Sequence, residues 1–270
     1  MKNGFLILIL FLSFIFTFIP WYINKKTKNK LRKRWIKISI GITLLIYFAA
    51  ARWFRDIALI TEITSAPSND FYRSTVLSKS LLLDICPMLY LIISILLISE
   101  KNHKIISYIA PTAALCGFLT VIFVPYTEPQ ASINLWYIFI GTSLNKLYFM
   151  LHFIIYVIGA YYYISYHDNK YKDIIYTNIF FLIQLVYTTI MIFALNITHN
   201  ASGLVNLDWQ YGGEFYTIAS IVPIPIPYIA IVFHISIVFL ISSLVFFKVF
   251  LYRKWQKFPQ RKQEILLQKI

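Results

Sequence analysis

A chain of 270 residues with 59% hydrophobic residues, only 13% charged residues and a mean hydropathy of +0.68 is too apolar for a soluble domain of that length. This excludes a soluble enzyme and defines an all-α, polytopic membrane protein. The net charge of +14 would suit nucleic acid, but the cations concentrate beside apolar stretches, where membrane topology alone demands them, so no nucleic-acid partner is expected.

A helix needs about 20 residues to cross roughly 30 Å of hydrocarbon. Seven stretches of that kind follow one another: Gly4–Ile23, Trp35–Phe54, Leu77–Ser99, Ile105–Val124, Leu144–Tyr166, Ile174–Leu195 and Pro223–Leu251. They form one transmembrane domain over 1–270, with a short basic tail from about 252. Alternate loops differ sharply in charge. "NKKTKNKLRKR" with Lys37, "EKNHK", "HDNKYKD" and the tail from Lys248 hold 19 of the 25 Lys and Arg; the opposite set holds Lys2, Arg52, Arg55, Arg73, Lys79 and Lys146. Cations stay on the cytoplasmic side, which predicts an outside N-terminus, an inside C-terminus and a multi-pass protein of the cell membrane. The first stretch has one cation ahead of it, a cluster behind it and no small-x-small cleavage site, so it reads as an uncleaved reverse anchor. "KKTKNKLRKR" and "RKWQKFPQRK" suit the headgroups of anionic phospholipids.

The chain contains no internal repeat, no Walker A pattern, no Gly-rich dinucleotide fingerprint and no HExxH. Eight glycines leave little material for phosphate-cradling loops. No cofactor and no metal is expected. The outside loops, roughly Arg55–Val76, Pro125–Gly141 and Asn196–Ser220, are longer than the inside ones, and the last is rich in Gly, Asn, Trp and Tyr, as a lid or a plain connection would be. Asn196 and Asn200 head glycosylation-type tripeptides that read as chance matches.

Polar residues within a bilayer are costly and nominate a site. "LLLDICPMLY" places Asp84, Cys86 and Pro87 inside the third stretch. Pro87 lacks an N–H, which frees the carbonyl near Leu83. Asp84 and Cys86 lie about 10 Å below the outer start of their span at 1.5 Å per residue, and His152, His234 and Cys116 fall at a similar level in theirs. Arg52 and Arg55 close the second span, while Asn145 and Lys146 stand at the mouth of the fifth. The shared level predicts a polar pocket opening outward. Asp84 and Cys86 diverge by about 200° around a helix, so Asp84 pairs more naturally with Arg52, Arg55 or His234. Cys116 reads as a small hydrophobe.

The third span "LLLDICPMLYLIISILLI", then "FLTVIFVPYTEP", the fifth-span "YFMLHFIIYVIGAYYYI" and the proline-studded "IVPIPIPYIAIVFH" together resemble the YwaF-like bacterial integral membrane proteins. That family is related to eukaryotic membrane acyltransferases that remodel ether phospholipids through a cysteine. The resemblance puts Cys86 on the family's cysteine and His152 on its fifth-span histidine, with Asp84 where the third span of the family carries histidine.

Two functions follow as expectations. In the first, a lipid-remodelling acyltransferase, Cys86 attacks a phospholipid ester, His152 relays the proton, and Arg52, Arg55 or Lys146 holds the headgroup phosphate. In the second, a solute transporter or substrate-binding membrane subunit, Asp84, His152 and His234 form the polar pocket.

Overall fold

The computed structural model describes residues 2–26, 29–53, 74, 77–78, 80–99, 103–127, 148–166, 170–197 and 226–267. Among these there is no strand, and seven α-helices follow in order: α1 (Lys2–Lys26), α2 (Lys30–Phe48), α3 (Ile85–Ser99), α4 (His103–Thr127), α5 (Tyr148–Ser165), α6 (Asp173–Ala194) and α7 (Ile226–Leu267). α2 runs on into a wider π-helical turn at Ala49–Trp53. Four segments, Gly4–Lys26, Lys104–Ile122, Asp173–Ala194 and Ala230–Lys254, are long and apolar enough to cross a membrane. Ile85–Ser99 and Phe149–Ser165 are apolar but shorter. Large apolar side chains face outward, among them Phe14 at 60%, Phe193 at 70% and Phe239 at 69% exposure. So much exposed hydrocarbon matches a lipid surround and would aggregate in water.

The core lies where α2, α3, α4 and α5 meet, around Phe48, Leu89, Tyr90, Ile93, Ala113 and Ile155. α4 and α5 approach with almost no side chain between them. A Cβ on Gly117 would come within 2.6 Å of the His152 carbonyl, and one on Gly159 within 2.5 Å of the Ala114 amide. In lipid, where apolar burial gives no advantage over contact with acyl chains, such close backbone packing is a principal source of helix association.

One end of the bundle gathers the cations. Lys33 Nζ donates to the Asn24 carbonyl at 2.6 Å, in the last turn of α1, and Asn24 Nδ2 donates to Tyr161 Oη at 2.7 Å. Lys248 Nζ donates to the Tyr163 carbonyl in the last turn of α5, and Tyr163 Oη returns a bond to the Leu244 carbonyl at 2.8 Å. Both lysines thus occupy carbonyl ends of helices, where the last turn lacks donors and the helix dipole favours a cation. Arg253 lies over the Tyr171 ring at 4.5 Å, joining the start of α6 to α7.

One expected boundary changes. The third apolar stretch is not one helix: α3 starts only at Ile85, after a turn at Leu81–Asp84. α7 runs on through the basic tail from about 252 to Leu267.

Candidate functional site

Before α3 the chain closes one helical turn and opens another. Leu81 N–H donates to the Leu77 carbonyl at 2.9 Å, and Leu83 N–H reaches back to Ser78 at 2.9 Å. Between them Leu82 takes φ 57°. A six-to-one bond over a left-handed residue is the Schellman ending of a helix, usually made with glycine. A leucine there is strained by about 1–3 kcal/mol. Asp84 then stands at the N-cap of α3, its carbonyl accepting from Met88 N–H at 3.5 Å. Aspartate favours this position because it suits the positive end of the helix dipole. Pro87 falls in the first turn, where its missing N–H leaves no helical bond unmade within α3. The aspartate and proline of "LLLDICPMLY" are therefore the start signals of a helix that begins inside the bundle.

The break exposes four successive carbonyls, and each is met by a side chain from another helix. Trp53 Nε1, carried by the π-helical turn, donates to Ser80 at 3.3 Å. Tyr187 Oη donates to Leu81 at 2.8 Å. Gln184 Nε2 spans Leu82 and Leu83, at 3.2 Å each, and Thr188 Oγ1 donates to Leu83 at 2.7 Å. Gln184, Tyr187 and Thr188 share one face of α6 through their i, i+3, i+4 spacing. Gln184 and Thr188 are each 2% exposed. The rise of α3 from Ser99 to Ile85 sets the break about 21 Å from the Ser99 end of the helix. Within a bilayer, irregular backbone is tolerated where it is enclosed by protein or lines a cavity.

The nominated residues divide into two groups around the start of α3. Ile85, next to Asp84, packs with Phe181 of α6 and Ile237 of α7, and the His234 ring lies 5.9 Å from that of Phe181. Phe181 and Gln184 share a face of α6 through their i, i+3 spacing. Cys86 turns to the other side, into the core with Leu151 and Ile155 of α5 and with Cys116 of α4 packed against it. His152 is buried on α5 between Leu151 and Ile155. The Leu83 carbonyl expected to be freed by Pro87 is the one held by Thr188 and Gln184. Arg52 belongs to the π-helical turn, its side chain outside the described residues; Arg55, Asn145 and Lys146 lie outside them altogether.

Sequence reasoning missed Gln184, Tyr187, Thr188 and Trp53. The polar face of "QLVYT" in an apolar span was the available signal, since glutamine is rare in such a span without a partner.

Among the described residues there are seven α-helices, with four segments long and apolar enough to span a bilayer, and the helix at Ile85–Ser99 follows a break whose backbone is held by polar side chains of other helices; this places the chain among α-helical membrane proteins. Within that class it belongs to the family described as a family of unknown function, DUF5378, whose model matches residues 5–269. Among curated relatives, the uncharacterized protein MG135 of Mycoplasma genitalium is 30% identical over 203 residues, covering 71% of this chain and 69% of the relative. The MG135 homolog of Mycoplasma pneumoniae is 28% identical over 149 residues, and the match spans 53% of this chain and 50% of that protein. No solved structure matches the chain.

Proposed function

We propose that the protein is a seven-span cell-membrane protein, N-terminus outside and C-terminus inside, that binds a small polar solute at the interrupted third span, as a transporter or substrate-binding membrane subunit does. The observation that carries this reading is the break itself. Discontinuous membrane helices recur where solutes are held, because half-helix ends offer polar groups that a continuous helix hides. The strained Leu82 supports it, since a left-handed leucine persists only where the surroundings fix it. The gathering of cations at one end of the bundle supports the orientation.

The test is a thermal-shift screen of the purified protein in detergent against amino acids, sugars, nucleosides and simple salts. A stabilising solute whose effect is lost in Gln184→Ala supports the reading. Stabilisation by none, in a protein that unfolds cooperatively, removes it.

A second reading, the phospholipid acyltransferase, is favoured by one observation: Cys86 stands in the first turn of α3, a position at which reactive cysteines are found. In this reading His152, from the neighbouring α5, is the proton relay, and membrane phospholipids are the substrate.

A further inference from the structure

α2 turns one face to the protein and the other away from it. Gly41 presses the helix onto α3, where an added Cβ would lie 2.8 Å from the Ser94 carbonyl, and Phe48 closes the core. The opposite face is a stripe of exposed side chains at i, i+3, i+4, i+7, i+10 and i+14: Arg32, Trp35, Ile36, Ser39, Ile42 and Ile46. Trp35 is 64% and Ile46 63% exposed. The preceding helix, α1, packs against α4 and α5. The stripe is ordered by depth. The rise from Trp35 to Ile46 is about 16 Å, close to one leaflet of a roughly 30 Å hydrocarbon layer. Tryptophan favours the interface, so Ile42 and Ile46 meet acyl chains, while Arg32, about 4.5 Å beyond Trp35 along the axis, stands at the level of the headgroups.

The charge at that level has one sign. Lys25, Lys26, Lys30, Arg32 and Arg34 are all exposed, and the first acidic residue in the chain is Asp56. Lys25 and Lys26 fold back over the rings of Trp21 and Tyr22, at 5.3 and 4.5 Å, and Lys33 is engaged by the Asn24 carbonyl. The Arg32 backbone amide donates to the Asn29 side chain at 3.1 Å, which fixes the turn that carries the guanidinium. At the other basic stretch Lys248 and Arg253 have protein partners, Tyr163 and Tyr171.

Resting on the membrane placement of α2 in the reading above, and not on the solute site, we infer that the outer face of α2 holds an anionic phospholipid. Its phosphate lies against the Arg32 guanidinium, its glycerol beside Trp35 and Ser39, and an acyl chain along Ile42 and Ile46. A guanidinium offers paired donors that match two phosphate oxygens. The neighbouring cations, with no carboxylate in this part of the chain to balance them, favour a headgroup of net negative charge over a zwitterionic one. The apolar stripe below gives the acyl chain a fixed place, which a soluble phosphate cannot use.

The full-length protein is placed in nanodiscs of phosphatidylcholine alone or of equal parts phosphatidylcholine and phosphatidylglycerol, its Tm is measured in both, and the lipid it retains on release is weighed by native mass spectrometry. Phosphatidylglycerol should be retained in preference and should raise the Tm. Arg32→Gln should weaken that retention about fivefold, the factor that corresponds to about 1 kcal/mol per cation at an anionic surface, and Arg32→Lys should restore part of it. Lys254→Gln, which removes the same charge from the other basic stretch, should change nothing. Phosphatidylglycerol brominated on its acyl chains should quench the tryptophan fluorescence of the parent more than that of Trp35→Phe. Equal retention of the two lipids, an equal loss in Lys254→Gln, or the same stabilisation by soluble glycerol phosphate overturns the inference, the last by showing that the headgroup alone is bound. A dimer whose formation releases the lipid gives the face to a second copy of the chain and overturns it too. The solute reading stands or falls separately, on the stabilisation lost in Gln184→Ala.

Discussion

Thr188 Oγ1 donates at 2.7 Å to the carbonyl of Leu83, the one carbonyl that Pro87, four residues on, can never serve. A missing donor on α3 is thus replaced by a hydroxyl on α6, and two segments more than 100 residues apart in sequence are tied at the break. Thr188→Val, which keeps the shape and removes the hydroxyl, should lower stability by about 1–3 kcal/mol through the deprived carbonyl. The measurement is thermal unfolding in detergent, and a change within about 0.5 kcal/mol, the size of an incidental substitution, would mean that Gln184 alone satisfies Leu83.

A half-buried tyrosine and a fully buried one should respond in opposite ways to the loss of a hydroxyl. Tyr187 Oη holds the Leu81 carbonyl, so Tyr187→Phe should cost about 1 kcal/mol. Tyr90, 1% exposed and stacked on Phe48 with ring centroids 5.2 Å apart, has a hydroxyl with no hydrogen-bond partner. Tyr90→Phe should be neutral or stabilising, because it relieves a desolvated polar group while keeping the ring. Parallel melting curves of the two variants check the contrast, and a destabilised Tyr90→Phe would reveal a bound group on that hydroxyl.

The α4–α5 contact leaves no room for a side chain at Gly159, where an added Cβ would lie 2.5 Å from the Ala114 amide and 2.9 Å from the Ala110 carbonyl. Because backbone atoms cannot swing aside, Gly159→Ala should destabilise by about 1–3 kcal/mol. Gly4, where an added Cβ would meet nothing within 4 Å, serves as the control. Gly4→Ala should melt as the parent does.

The orientation predicts that the ends carrying Lys33, Lys104, Lys248 and Arg253 face the cytoplasm. Tags at each terminus, probed with protease on intact cells, should be cut at the N-terminus and protected at the C-terminus. The reverse pattern would invert the site as well, placing the break nearer the inner leaflet.

The two functional readings separate on Cys86 and Gln184. For a solute site Cys86 is core packing, so Cys86→Ser should leave solute-induced stabilisation intact while Gln184→Ala removes it. For an acyltransferase, Cys86→Ser should abolish a change in phospholipid acyl composition with protein abundance preserved, because a hydroxyl is a far weaker nucleophile than a thiolate. Lipidomics and thermal shifts on the same two variants distinguish them.

Membrane class, helical fold and the approximate place of each apolar segment were legible in the sequence, because hydrocarbon thickness and cation placement are one-dimensional constraints. The loosening at the Leu83 carbonyl was legible too, because Pro87 brings no N–H to it. That the third apolar stretch is interrupted depends on a left-handed leucine, a conformation that local propensity disfavours and that the packing of Leu83 against Ile192 and Ile197 sustains. The roles of Trp53, Gln184, Tyr187 and Thr188 depend on α2 and α6 lying beside the break, and only the tertiary structure decides which distant donors meet which carbonyls. An unsatisfied backbone group in an apolar interior has to find a partner, but sequence spacing does not say where in the chain that partner is.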